Sequence, residues 1–201
     1  MIRTVLAAVV ATVLGSAALW HTTDGLRAFT AEDARRVAIL KHPKPIPDIE
    51  LTDSTGRSLR LSDYASQAVV VEFIYTQCPL ICTSLGDAFA QLQNATDKAG
   101  IRGRVQLVSI SFDPADDEGR MSDYARIHGA DAAQWIIAKP RNAEELPILL
   151  KSFGVVVIPD GDGGFIHNAA LHVVGPDQRL TAIFDLGENK AVLDALRRLA
   201  P

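Results

Sequence analysis

The chain has 201 residues, a formal net charge of −4, and a composition with 48% hydrophobic and 22% charged residues. This length suits one globular domain once an apolar N-terminal stretch is set aside, and the composition is that of a folded protein. The sequence has no basic excess and no lysine- and arginine-rich runs interleaved with aromatic residues, which excludes nucleic acid as the expected partner.

Residues 1–20, MIRTVLAAVVATVLGSAALW, predict a membrane-targeting segment. Arg3 precedes an uncharged stretch at 4–20, which is close to the lower limit for a helix that spans a bilayer. We predict an uncleaved signal anchor in a bacterial inner membrane, with Arg3 on the cytoplasmic side and the rest of the chain in the periplasm. Two alternatives stay open. One is a signal peptide cleaved after the small residues at 16–18, giving a soluble periplasmic protein, and the other is a buried helix of a cytosolic protein.

Residues 21–47 predict a tether, because HPKPIP at 42–47 favours polyproline geometry, and 31–41 predict a short helix within it. Residues 48–201 are then one folded domain. This domain opens with a predicted β-hairpin at 49–61, where alternating apolar and polar residues flank a Ser-Thr-Gly turn.

Two β-branched apolar runs, VVVEFIY at 69–75 and VQLVSISF at 105–112, predict strands buried on both faces of a sheet. The helical spacing of Leu85, Phe89 and Leu92 predicts a crossover helix between them, and hence a right-handed parallel βαβ unit. The later predicted elements are a helix at 121–128, a strand at 135–138, a helix at 143–153, strands at 170–177 and 179–186, and a helix at 188–199. Pro147 indicates that the helix at 143–153 is kinked or starts later. The fold class is therefore α/β, with a mixed central sheet flanked by helices and an added N-terminal hairpin.

Cys78 and Cys82 lie between the end of a predicted buried strand and the first turn of the following helix, where open α/β sheets place their chemistry. At positions i and i+4 the two sulfurs are expected to share one helix face, where they can bind one metal ion or close a disulfide. The helix N-terminus favours a thiolate, which is both nucleophile and metal ligand, and Pro79 suits an early helical position. A stapling disulfide or two core thiols are the alternative, although so short a loop adds little stability.

Two thiolates leave a metal under-coordinated, so a third ligand is expected, and two sulfurs with one imidazole suit copper in either oxidation state. Of the five histidines, His21 and His42 lie in the tether and His128 on an amphipathic helix. His172 falls in a predicted strand and is expected to pack or pair there. His167 ends the glycine-rich segment PDGDGGFIH, and it either brings its ring over the cysteines or is an ordinary loop residue.

Over residues 46–186 the sequence resembles the Sco (SenC-type) family of copper chaperones, which has a thioredoxin-like fold. The family pattern is a strand, Tyr-Thr-x-Cys-Pro-x-x-Cys, a strand ending in Ser-x-Asp-Pro, and a histidine ahead of a strand ending in Asp-Pro-x-Gly. The chain has YTQCPLIC at 75–82, SFDPADD at 111–117 and HNAALHVVGPDQ at 167–178. The resemblance implies that Cys78, Cys82 and His167 bind copper, as Cu(I) or Cu(II).

The resemblance also implies partners: the copper-bearing subunit of cytochrome c oxidase or another periplasmic copper protein, and a thiol reductant such as a thioredoxin-like protein. The chain would deliver copper to the binuclear copper centre, reduce the cysteines of that centre, or both. Asp113 and Asp117 match an acidic family pair that helps to shape the partner-facing surface, with helix capping as the alternative. The departures from the family pattern are Leu80, Thr83, residues 118–120 and Gly175. They spare the three ligands, so the sequence supports copper binding better than oxidase assembly.

A thiol-disulfide oxidoreductase without obligatory metal transfer is the alternative function: one thiolate attacks a partner's disulfide and the other resolves the mixed disulfide. A redox or copper sensor would use the same residues. A peroxidase of related fold is disfavoured, because residues 76–78 do not reproduce the threonine and proline that surround a single peroxidatic cysteine.

Overall fold

The computed structural model describes residues 2–78 and 81–199. The chain divides into two compact units, Met1–Pro43 and Lys44–Pro201. Among the described residues, the first unit contains two helices, and the second contains the sheets and the remaining helices. The domain boundaries proposed from the sequence, at residues 20 and 47, stay predictions.

In the first unit, helix α1 (Ile2–Thr22) is exposed along its length and is long and apolar enough to cross a membrane, a property that signal sequences share. Helix α2 (Ala31–Lys41) has the predicted bounds. It begins with a capping box, in which the Thr30 side chain accepts from the Asp33 N–H and the Asp33 side chain accepts from the Thr30 N–H.

The strands of the second unit are β1 (Lys44–Pro45), β2 (Glu50–Asp53), β3 (Ser58–Arg60), β4 (Ala68–Ile74), β5 (Val105–Ser111), β6 (Trp135–Pro140), β7 (Val157–Pro159), β8 (Phe165–His167), β9 (Leu171–Val174) and β10 (Arg179–Phe184). Within the described residues, eight of them form one sheet in the order β1-β10-β9-β4-β5-β6-β2-β3. The β4-β5 and β5-β6 pairs are parallel, and the others are antiparallel. The sheet is therefore mixed, as predicted.

Four longer helices accompany this sheet: α3 (Ile81–Lys98), α4 (Glu118–His128), α5 (Leu146–Phe153) and α6 (Asn189–Leu199). Helix α3 connects β4 to β5 and α4 connects β5 to β6, which gives the predicted parallel crossover units. Pro147 occupies the first turn of α5, after a short 3-10 turn at Ala143–Glu145. The predicted later start is therefore confirmed. Proline is tolerated in the first turn because the backbone N–H that it lacks would have no partner within the helix there.

The centre of the sheet is the core of the domain. Every residue of β4 and of β5 is buried, including the polar residues Glu72, Ser109 and Ser111. Strands that are covered on both faces need apolar side chains on both, which explains the continuous apolar runs in the sequence of β4 and β5. The hairpin of β2 and β3 adds an edge, and Gly56 takes the left-handed conformation (φ 81°) that its turn needs.

A second, two-stranded sheet of β7 and β8 was not predicted, since its sequence was assigned to a glycine-rich loop. Asp160 organises the connection: its Oδ1 accepts from the N–H groups of Asp162 and Gly164, both at 2.9 Å. The Asp160 carboxyl group thus holds the backbone of the glycine-rich connection in one conformation, as aspartate side chains commonly do in turns. This hairpin carries His167.

Candidate metal centre

The cysteine segment follows β4 at the carboxyl edge of the parallel strands. The Cys78 N–H donates to the Tyr75 carbonyl at 3.2 Å, which closes a turn directly after the strand. Cys78 is half-buried, and Cys82 in the first described turn of α3 is 1% exposed. Since α3 as described begins at Ile81, Cys78 precedes the helix, and the expectation that both cysteines share one helix face is corrected. Pro79 and Leu80, for which a helical role and a family departure were predicted, lie outside the described residues.

Both sulfurs are thiols that accept backbone hydrogen bonds. The Cys82 N–H donates to Cys78 Sγ at 3.3 Å, and the Tyr75 N–H donates to Cys82 Sγ at 3.5 Å. Such donors stabilise negative charge on sulfur and lower the pKa of a thiol, an effect that burial opposes.

His167 reaches Cys82 from the β7-β8 hairpin. Its position is set by the β7-β8 register, where His167 pairs with Val157. His167 Nε2 lies 3.9 Å from Cys82 Sγ, although the two residues are 85 positions apart in the chain. Bond lengths of about 2.3 Å to sulfur and 2.1 Å to nitrogen, at angles of 110–120°, put two ligands of one metal roughly 3.6–3.8 Å apart. The pair is thus already spaced for a shared soft metal.

Aromatic rings surround the imidazole. The ring centroids of Phe112 and Tyr75 lie 5.0 and 6.5 Å from that of His167, and Phe165 packs edge-on against both aromatic rings. The Tyr75 hydroxyl donates to the Phe165 carbonyl at 3.4 Å, which joins the strand end to the hairpin. These rings limit the access of water to the imidazole and Cys82.

Burial controls the protonation of the two enclosed groups. It lowers the pKa of His167, against a smaller opposite effect of the Asn168 backbone, so the ring is neutral at neutral pH and has a lone pair for a metal. Burial also raises the pKa of Cys82, and the Tyr75 N–H offsets only part of this effect. Desolvation of Cys82 therefore opposes the thiolate form that the helix N-terminus is expected to favour.

Within residues 2–78 and 81–199, no three His, Cys, Asp or Glu side chains already meet the geometry of a metal cluster. The structure brings Cys82 and His167 together and places Cys78 beside them, with its sulfur directed at the α3 backbone. Cys78 is therefore the candidate for a third donor beside this pair.

The other predicted candidates have structural roles. His172 is buried in β9, edge-on to Phe73 and Phe153, and its Nδ1 lies 3.2 Å from the Val71 carbonyl, as expected for a packed histidine. The His128 side chain is buried between α3 and α4, and its ring centroid lies 4.5 Å from that of Tyr124 with the two rings tilted by 50°. His21 and His42 belong to the first unit, one in α1 and the other just after α2.

Of the acidic pair predicted to face a partner, Asp117 caps a helix and Asp113 holds a turn. Asp117 is the N-cap of α4 and accepts from the Arg120 N–H at 2.8 Å, and Asp113 Oδ1 accepts from the Ala115 N–H at 2.8 Å. Sequence reasoning missed the neighbouring Asp116, which is fully buried and bound to Thr76 two residues before Cys78. Within the run DPADDE no local signal separates a buried aspartate from its exposed neighbours.

The fold and this cluster of side chains define a class: a thioredoxin-like protein with two cysteines and one histidine near the carboxyl edge of its central parallel strands. The model of the SCO1/SenC family matches residues 40–200, and the chain belongs to this family. The predicted resemblance is confirmed.

Individual relatives agree with this assignment. The chain is 31% identical over 180 residues to a candidate copper-binding protein of Stutzerimonas stutzeri, covering 84% of this chain and 81% of the relative. Among solved structures, the chain is similar to copper-bound ScoI of Bradyrhizobium japonicum, with a TM-score of 0.64 and 22% identity over 76% of this chain and 99% of that one. It is also similar to BsSco, a member of the Sco family of cytochrome c oxidase assembly proteins, with a TM-score of 0.70 and 19% identity over 79% and 95% of the two chains. These similarities confirm the predicted thioredoxin-like fold.

Proposed function

We propose that this chain is a copper chaperone that holds one copper ion with Cys78, Cys82 and His167 and passes it to a second copper protein. The observation that carries the proposal is the 3.9 Å approach of His167 Nε2 to Cys82 Sγ between segments that are remote in sequence. Two sulfurs and one neutral imidazole are a soft donor set, which suits copper. The family, and the copper named for relatives in it, support the same choice of metal.

Each donor has a distinct part in holding this cargo. Cys82 and His167 are buried and fix the inner side of the site, whereas Cys78 is half-buried and is the donor that another protein can reach. Copper binding displaces the thiol protons, because the thiolate is the form that binds metal. An incoming ligand from an acceptor can then replace Cys78 first, with the two buried donors released afterwards.

The proposed acceptor is the binuclear copper centre of cytochrome c oxidase, and the proposed location is the periplasmic side of a bacterial inner membrane, with α1 as the anchor. The association of BsSco with cytochrome c oxidase assembly supports the acceptor, and the length and apolar composition of α1 support the anchor. A thioredoxin-like reductant would return an oxidised Cys78–Cys82 pair to the dithiol that binds metal.

Copper titration of the reduced full-length chain and its His167→Ala variant tests the proposal. We expect one copper per wild-type chain. Removing a hydrogen-bond partner of a metal ligand typically lowers affinity by roughly 10- to 100-fold. His167→Ala removes a ligand itself, so its copper affinity should fall by more than that. His42→Ala is the matched control, since it removes a histidine from the first unit and should leave the affinity unchanged. Equal affinity in wild type and His167→Ala would eliminate the three-donor site.

A thiol-disulfide oxidoreductase is the second candidate, favoured by the half-buried Cys78 beside the buried Cys82. The Cys78 thiolate would attack a partner disulfide, forming a mixed disulfide and releasing one partner thiolate. Cys82 would then attack Cys78, releasing the second partner thiolate and leaving a Cys78–Cys82 disulfide, so that two electrons pass to the partner. This reaction does not use His167. Wild-type disulfide reduction by His167→Ala, together with unchanged copper affinity, would favour it over the chaperone.

A further inference from the structure

A buried carboxyl group holds the loop that leads into the cysteines. Thr76 lies between the end of β4 and Cys78, and two of its groups donate to Asp116. The Thr76 N–H donates to Oδ2 at 2.9 Å, and the Thr76 hydroxyl donates to Oδ1 at 2.5 Å. The two bonds engage both carboxyl oxygens at once, which fixes the direction of the loop as well as its distance from Asp116.

Asp116 is itself held in place by two further strands. The Ser111 hydroxyl, at the end of β5, donates to Asp116 Oδ2 at 2.5 Å. The Lys139 ammonium, in β6, donates to the Asp116 carbonyl at 2.5 Å. Asp116 is 0% exposed, so water cannot replace a lost donor. A buried polar group left without its partner is costly, and these bonds therefore form or break together.

The consequence reaches Cys78 within two residues. The turn that begins at Tyr75 closes on the Cys78 N–H, and Cys78 Sγ in turn accepts from the Cys82 N–H. The position of Thr76 therefore sets where the half-buried sulfur lies relative to α3. Helix α3 and the β7-β8 hairpin fix Cys82 and His167 separately, so Cys78 is the donor whose place depends on this loop.

We propose that Asp116 is a positioning residue for Cys78, acting through its paired hydrogen bonds to Thr76. The inference deepens the proposed function, on which its copper readout rests. It also predicts a property of the metal-free dithiol, namely a restrained Cys78 sulfur, and this property can be measured without copper.

The test compares Thr76→Val, which removes the hydroxyl donor, with Thr76→Ser, which keeps it, in the full-length chain in detergent micelles. The first readout is the rate of iodoacetamide alkylation at Cys78 in the metal-free, reduced protein, followed by peptide mass spectrometry. The second is Cu(I) affinity from competition with a chromogenic chelator. In Thr76→Val, Cys78 should be alkylated at a rate different from that in wild type. The variant should also bind Cu(I) about 10-fold more weakly, which is the lower end of the affinity loss when a hydrogen-bond partner of a metal ligand is removed. Thr76→Ser should match wild type in both readouts.

Thr96→Val is the matched control for the loss of a buried hydroxyl. Thr96 is 0% exposed in α3, accepts from Gln134 Nε2 at 2.7 Å, and lies about 21 Å along the helix axis from Cys82. Its removal should lower stability without changing the alkylation rate or the Cu(I) affinity. A general loss of stability and a specific loss of positioning therefore give different results.

Asp116→Asn is the second variant in case Thr76→Val does not fold. It keeps the side-chain volume but replaces one accepting oxygen with a donor, and it should change both readouts in the same direction as Thr76→Val. Wild-type alkylation and wild-type affinity in the folded variants would overturn the inference. If the wild-type chain binds no copper, the proposed function fails, whereas the alkylation rates still decide the role of Asp116.

Discussion

Glu72 is an acid in the middle of β4, a strand in which every residue is buried. It is 0% exposed, and its Oε1 accepts from the Ser109 hydroxyl at 2.5 Å. Ser109 in turn accepts from Trp135 Nε1 at 2.8 Å, so a polar chain crosses β4, β5 and β6 inside the core. Burial raises the pKa of Glu72 to about 8, because a carboxylate loses its hydration there. The carboxyl group is therefore mostly protonated at neutral pH in the folded chain.

Glu72 should make the stability of the protein depend on pH. Its folded pKa of about 8 lies above the ordinary value of 4.5, so its stabilising contribution is complete below about pH 4.5. That contribution is lost as the pH rises toward 8, by about 1.4 kcal/mol for each pH unit. Glu72→Gln cannot ionise, so its free energy of unfolding should change less with pH and exceed the wild-type value at pH 8. Urea unfolding at pH 5, 6, 7 and 8 measures this difference.

The control for this experiment is Glu144→Gln, which changes an exposed carboxyl group and should retain the wild-type slope. A wild-type slope in Glu72→Gln would show that another group carries the pH dependence.

At the scale of the elements, helix α3 meets α4 at a glycine. A Cβ on Gly86 would lie 2.6 Å from three ring atoms of His128, whose side chain is 6% exposed. The imidazole therefore occupies the space that a side chain at position 86 would need. Glycine here serves close packing between two helices rather than an unusual backbone angle.

Gly86→Ala should therefore destabilise the protein even though alanine is the better helix former. The gain in helix propensity is about 1 kcal/mol, whereas overpacking of a core costs about 1–3 kcal/mol, so we expect a net loss of up to about 2 kcal/mol. Adding His128→Ala should remove the clash, and the double variant should be more stable than the sum of the two single changes predicts. Urea unfolding of the four proteins measures this coupling. A more stable Gly86→Ala would mean that His128 moves aside at little cost.

The elements that the sequence predicted well are those with a strong periodic signal. The two buried runs form β4 and β5, and the ends of α2, α4 and α6 lie no more than three residues from the predicted ends. The β7-β8 hairpin was missed because its strands have only three residues each and the connection at 160–164 consists of Asp and Gly. Hydrogen bonds to the Asp160 side chain hold this connection in place of strong local propensity. The same limit applies to the site. Cys78 and Cys82 are conspicuous in sequence, whereas His167 depended on resemblance, since its approach to Cys82 arises from the tertiary fold.

At the scale of the whole molecule, we predict that α1 anchors the chain in a membrane, and this prediction can be tested. The uncleaved-anchor hypothesis expects the full chain, expressed in a bacterial host, to sediment with membranes and to resist carbonate extraction. Intact mass should retain residues 2–20, because the positive N-terminus stays on the cytoplasmic side. A mature N-terminus near residues 16–18 in a soluble fraction would instead identify α1 as a signal peptide. A Val9→Arg variant is the control, since a charge at the centre of the span opposes insertion.

The 85-residue separation of Cys82 from His167 also matters for how the molecule is made. Under the anchor hypothesis the chain is exported with its N-terminal half first, so both thiols would enter an oxidising space while the imidazole is still in transit. The disulfide could then form in the nascent polypeptide before His167 has folded against Cys82 to complete a metal site. A newly made molecule of this topology would begin its life oxidised, and electrons would have to arrive after folding, through the one sulfur that solvent can reach.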